Sequence, residues 1–137
     1  ADPIRVAVAG AAGRMGATVC RAVEEAEGLE LTGRADPQLD TTVEDVLADA
    51  DVLVDFTRPD TALDNVLACV DAGVPAISFW AAVPHYVSQA RVPKAAVALL
   101  HRIEEVLDVP VPTADLAETA RKMILASLEL AEKVDAA

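Results

Sequence analysis

Three glycines spaced by threes carry the first chemical signal in this chain. Gly10, Gly13 and Gly16 follow the apolar run Ile4–Ala9 and precede a helical pattern opening at Arg14. A strand feeding a glycine-rich turn and a helix N-terminus can cradle a dinucleotide pyrophosphate. In such a turn Gly10 makes the tight bend, Gly13 admits the pyrophosphate to the backbone, and Gly16 allows close helix–strand packing. The G-x-x-G-x-x-G spacing departs from the commoner G-x-G-x-x-G, and a tight turn without a ligand is the plain alternative. Two residues at the end of the second expected strand bear on the ligand. Asp36 suits a ribose 2′-hydroxyl and Arg34 a 2′-phosphate, so NAD and NADP both stay open. A solvated strand-end charge is the other reading of Arg34.

Other reactive side chains are sparse. Cys20 and Cys69 are the only cysteines, and neither has a CxxC or Cys/His spacing. They read as free, half-buried structural thiols. His85 and His101 are the only histidines. His85, in the run Trp80-x-x-x-Pro84-His85-Tyr86, has no acid or nucleophile in local relation and reads as a packed loop histidine. No catalytic residue and no metal ligand set is assigned.

The elements that must position the glycine loop follow from periodicity. A helix from about Arg14 to Glu27 places Val19, Ala22, Val23 and Ala26 on one side and stops at Gly28. A second strand covers Leu29–Gly33 and a turn lies at Asp36-Pro37. A short helix follows over Thr42–Leu47, with Thr41 or Thr42 as cap. Asp51–Phe56 makes a third strand. Asp60 or Thr61 caps the next helix, which reaches Ala72 and ends at Gly73. Pro75–Trp80 is the fourth expected strand. Ala81–Val92 is irregular, Pro93 opens a helix to about Leu107, and Thr113 caps a last helix to about Val134. That helix is roughly 30 Å long, with an apolar stripe of Leu116, Ala120, Ile124, Ser127/Leu128, Ala131 and Val134.

Strands alternating with helices predict an α/β fold. The expectation is one domain over residues 1–137, built on a doubly wound parallel sheet of about four strands in the order 2-1-3-4. It is Rossmann-like or flavodoxin-like, with a long C-terminal helix. Composition agrees: 53% of residues are apolar and only four are aromatic, as suits strands buried on both faces. The net charge is −12. Residues 1–74 hold 15 acids against 5 arginines, and residues 75–137 hold 8 acids against 6 bases. An acidic chain without a basic patch argues against nucleic acid or an anionic membrane as partner. No signal peptide is recognised and no apolar run is long enough to span a bilayer, so a cytoplasmic location is expected. Ala1-Asp2-Pro3 reads as a leader remnant or cloning scar.

The runs IRVAVAGAAGRMG and ADVLVDFTRPDTALDNVLACVDAGV resemble the cofactor domain of bacterial dihydrodipicolinate reductase over residues 4–74. GAAGRMG and DFTRP together are hard to reach by chance. The resemblance implies that the glycine loop and adjoining Arg14 and Met15 contact a dinucleotide, with Arg34 at the adenosine end. It implies that Phe56, Thr57 and Arg58 lie toward the nicotinamide. The implied cofactor site is therefore Gly10, Gly13, Arg14, Met15, Gly16, Arg34, Phe56, Thr57 and Arg58, with NADP or NAD as a weakly held ligand. The family would continue from strand four into a GTTG loop, where this chain reads Ile77-Ser78-Phe79-Trp80-Ala81-Ala82. The family's His-His pair, lysine and Asp-Ala-Pro-Ser-Gly-Thr stretch are not found within these residues.

The second half is similar to a different family. Gly73–Val87, which ends in the distinctive WAAVPHYV, and Pro93-Lys94-Ala95 leading into a leucine-rich helix resemble the bacterial relatives of proteasome assembly chaperones over residues 73–120. That resemblance implies an α/β fold, no firmly assigned chemistry and a tendency to oligomerise. The whole chain thus reads as an engineered hybrid joined near 73–75. It is expected to be a non-catalytic scaffold that keeps weak dinucleotide binding. A reductase-like enzyme fragment and an oligomerising module are the alternatives, the last by homodimerisation through the final helix.

Overall fold

A computed structural model describes residues 1–85 and 91–136, apart from the side chain of Asp135. The chain divides into two compact units, Ala1–Ile77 and Ser78–Ala137.

The first unit is a three-stranded parallel sheet in the order β2-β1-β3, formed by β1 (Ile4–Ala9), β2 (Leu29–Ala35) and β3 (Val52–Asp55). The central strand β1 has neighbours on both edges, and Ala7, Val8 and Ala9 are fully buried. Its side chains alternate between two cores. Val6 and Val8 pack with Cys20 and Val23 of α1 (Arg14–Glu25). Ala7 and Ala9 pack on the other face with Val43, Val46 and Leu47 of α2 (Val43–Leu47) and Cys69 of α3 (Pro59–Asp71). The sheet is therefore covered by helices on both faces, as expected.

Local chemistry explains the joints. Gly33 lets α2 come close to β2: a Cβ there would lie 2.5 Å from the Cβ of Val46. Thr42 caps α2 in a reciprocal box, its hydroxyl accepting from Asp45 N–H while the Asp45 carboxylate accepts from Thr42 N–H. The hydrogen bond from the Thr42 N–H, and next the Thr42 side chain, hold the Asp45 carboxyl below its ordinary pKa. The start of β3 is tied to β1 by Asp51, whose carboxylate accepts from Arg5 Nε at 3.2 Å, from Nη2 at 2.7 Å and from the Arg5 N–H at 2.9 Å. α3 closes with a Schellman turn: Gly73 has φ +75°, its N–H reaches Val70 O, and Val74 N–H reaches Cys69 O at 2.8 Å.

Two expectations are corrected. The fourth strand, Pro75–Trp80, is absent, and the sheet among the described residues stops at three. Pro75 has no N–H to give a ladder, and β3 is only four residues long. Phe79 and Trp80 instead line a groove against the helix α4 (Pro93–Leu107) within the second unit. The cap of α3 is also not Asp60 or Thr61. Pro59 occupies the first helical position and starts the helix earlier, leaving Arg58 at the cap position with no side-chain capping bond.

The second unit is a pair of helices, α4 and α5 (Ala114–Asp135), packed on each other. Asp108, in the left-handed region at φ 52°, ends α4. Val111 N–H donates to the Glu104 carboxylate at 2.7 Å and folds the connection back. Of the irregular segment Ala81–Val92, residues 86–90 lie outside the described residues, and Tyr86 and Val87 with them.

Candidate functional site

The site grows from the C-terminal ends of β1 and β3, where a ligand crevice is expected in a parallel sheet. Gly10 leaves β1 at φ +75°, a conformation that favours glycine. A Cβ on Gly10 would lie 2.6 Å from Phe56 O, so the glycine loop and the turn after β3 touch backbone to backbone. Gly16 does the same for the helix. A Cβ there would lie 1.9 Å from Gly10 O, and glycine alone lets α1 begin against its own loop. Gly13 is different, since its added Cβ would meet only Gly10 O, at 3.3 Å.

The loop is held by neighbours. Gly10 N–H donates to Ala35 O at 2.8 Å and Gly13 N–H to Gly10 O at 3.0 Å. Asp36 is buried, and its carboxylate accepts from Ala12 N–H at 3.1 Å and from Gln38 N–H at 2.9 Å. A residue suited by sequence to a ribose hydroxyl thus buttresses the loop itself. The N-terminus of α1 has no side-chain cap and no acid in its first turn. Its first amides lack intrahelical acceptors and carry the positive end of the helix dipole.

The opposite wall is the β3–α3 turn. Asp55 accepts from Thr57 N–H at 2.7 Å and from the Asn65 side-chain amide at 2.9 Å. Asn65 also donates to the Thr57 hydroxyl at 3.1 Å. Gly10, Gly13, Phe56, Thr57, Arg58 and Asp36 share one cleft of about 790 Å³. Asp40, Glu44 and Asp60 line it too, and Arg58 is its only lysine or arginine. That arginine pairs with Asp60 at 3.0 Å.

Four sequence-derived site residues lie off this cleft lining. Gly16 is buried beneath the loop, and Arg14 and Met15 are exposed on the first turn of α1. Arg34 pairs with Glu24 of α1 at 2.6 Å, and that hydrogen bond raises its pKa. Asn65 and Asp55 were missed by sequence reasoning. Asp55 was findable, because Asp-x-Thr is an Asx turn in which the side chain takes the N–H two residues on. Asn65 reaches the turn from within α3, and no local signal marks it. Cys20 and Cys69 are both free and buried, and burial raises the Cys69 thiol pKa. His85 belongs to the second unit. No group of three or more His, Cys, Asp or Glu side chains suited to a metal occurs among the described residues. No helix among them is long and apolar enough to cross a membrane.

Residues 4–78 match the family described as dihydrodipicolinate reductase, N-terminus, and residues 65–131 match the PAC2 family. The 4-hydroxy-tetrahydrodipicolinate reductase of Beutenbergia cavernae is 54% identical over 74 residues, which are 54% of this chain and 29% of that protein. That of Cutibacterium acnes is 52% identical over 63 residues, 46% of this chain and 24% of that protein. That of Syntrophotalea carbinolica is 39% identical over 88 residues, 49% of this chain and 33% of that protein. The chain therefore spans a third or less of these reductases. Its glycine loop and DFT turn lie inside the matched segment, and through residues 4–78 the chain belongs to the dihydrodipicolinate reductase N-terminal family.

Proposed function

We propose that the first unit binds a dinucleotide, NADP or NAD, with its pyrophosphate at the glycine loop and the start of α1. The observation that carries this reading is the convergence of Gly10, Gly13, Phe56, Thr57 and Arg58 on one cleft beside a helix N-terminus with no side-chain cap. Arg14 and Met15 flank the pyrophosphate from the exposed first turn of α1, and Gly16 keeps that turn close. Arg34 reaches a 2′-phosphate only by leaving Glu24.

Binding is weak in this reading. Four carboxylates, from Asp36, Asp40, Glu44 and Asp60, share the cleft with the one arginine. Phosphates entering it meet like charge, and association must still offset lost translational and rotational freedom.

We further read these 137 residues as a hybrid scaffold, engineered by a join near 73–75, without reductase turnover. The overlap of the two family matches at residues 65–78 supports the join. Reduction of a cyclic imine needs a proton donor within reach and a clamp for the substrate carboxylates. Arg58 is already paired with Asp60. A second reading, a reductase fragment with activity of its own, is favoured by the 54% identity to a reductase.

Equilibrium dialysis against NADPH and NADH separates these readings when combined with an absorbance assay. Millimolar binding, lost in Gly13→Val, with NADPH oxidation at buffer background in the presence of the dihydrodipicolinate-type imine, supports the scaffold. Oxidation above background that Gly13→Val abolishes supports the fragment enzyme. Absence of dialysis binding removes both.

A further inference from the structure

We propose that the uncovered part of α5, Arg121–Val134, pairs antiparallel with the same segment of a second copy of this chain.

The helices of the second unit differ in length. α4 has 15 residues and α5 has 22, about 22 and 33 Å at ~1.5 Å per residue. Their packing buries Ala120, yet every residue from Arg121 to Val134 is exposed. Six of these are large and apolar: Met123, Ile124, Leu125, Leu128, Leu130 and Val134 stand 41–68% exposed. At 100° per residue, all but Leu125 continue the arc that holds Leu116 and Ala120, so the face that α4 covers at one end runs on bare at the other.

The sequence of this segment is complementary to itself when reversed. A two-fold axis at Ser127 sets Met123 against the partner's Ala131 and Ile124 against the partner's Leu130. Large side chains meet small or apolar ones at each level, and the two small Ser127 side chains meet at the axis. One flank of the arc carries Arg121, Leu128 and Glu132. In an antiparallel pair like flanks face each other, so Arg121 meets the partner's Glu132 at both ends, with Leu128 between. Neither Arg121 nor Glu132 has an ion-pair partner among the described residues. A parallel pair would instead bring unlike flanks together, and the other flank, with Thr119, Ala126 and Lys133, offers Arg121 no carboxylate. The charge pattern therefore selects both the occupant, a second copy, and its direction.

Sedimentation equilibrium and cysteine cross-linking on the full chain test this. The expected mass rises with concentration from 14.3 kDa toward twice that value. Arg121→Glu weakens the dimer at least tenfold, and adding Glu132→Arg restores it. An Ile124→Cys chain mixed with a Leu130→Cys chain forms a disulfide, whereas Ile124→Cys alone does not. A monomer mass at all concentrations overturns the proposal, as does self-cross-linking of Ile124→Cys or failure of the charge swap to restore the dimer.

Discussion

Replacing Gly16 by alanine should destabilise the first unit, although alanine is the better helix former. The added Cβ would lie 1.9 Å from Gly10 O, 2.6 Å from Gly10 C and 2.9 Å from Ala11 Cα. Non-bonded carbon contacts are most favourable at about 3.5–4.0 Å, so α1 must retreat from its own loop by more than an ångström. All three obstructing atoms are backbone, and no side-chain rotation relieves them. Overpacking of this kind costs about 1–3 kcal/mol, against a helix-propensity gain of at most about 1 kcal/mol. With three backbone atoms closer than 3.0 Å the cost belongs at the top of that range, and the net expectation is a loss of about 2 kcal/mol. Gly28→Ala isolates the backbone effect, because nothing lies within 4 Å of its added Cβ while φ is +82°. Its cost should stay near the ~1–2 kcal/mol of a single left-handed residue. Urea denaturation followed by amide exchange at Val8 and Ala9 reports on the first unit alone. An unchanged or raised midpoint for Gly16→Ala would show that the loop does not press on α1 as described.

Gly33→Ala should lose about 1–3 kcal/mol, because its Cβ would sit 2.5 Å from that of Val46. Val46→Ala in the same chain should recover part of this loss, and strictly additive urea midpoints would contradict the contact. Asp51 is held at a pKa of about 2 by its hydrogen bonds to Arg5. This is below its ordinary 3.8, so its contribution is complete above that value and fades as pH falls from about 4 to 2. Asp51→Asn should flatten stability over that window, and an unaltered acid limb would contradict the pairing.

The first half of the fold was legible because its signals are local. Gly28 and Gly73 mark helix ends, and both have positive φ. Val6–Ala9 of β1 is continuously apolar because both its faces are covered there. The fourth strand failed because Pro75–Trp80 has strand-like composition, yet pairing depends on a long-range ladder that composition does not encode. In the candidate site the glycine spacing was readable, while the role of Asp36 was not. Its carboxylate lies 24 residues from the Ala12 amide it accepts from, and only the β1–β2 register brings them together. The ion pairs that occupy Arg34 and Arg58 were equally hidden, since each pairing depends on side-chain placement.

The claim at the centre is that the glycine loop and the DFT turn form one dinucleotide site, and amide NMR during titration with NADPH and NADH tests it most directly. The predicted result is a joint, saturable shift of the Gly10, Gly13, Arg14, Thr57 and Arg58 amides that Gly13→Val eliminates while leaving the β1 amides unmoved. Spectra that stay unchanged at millimolar cofactor, or shifts confined to the second unit, would contradict it.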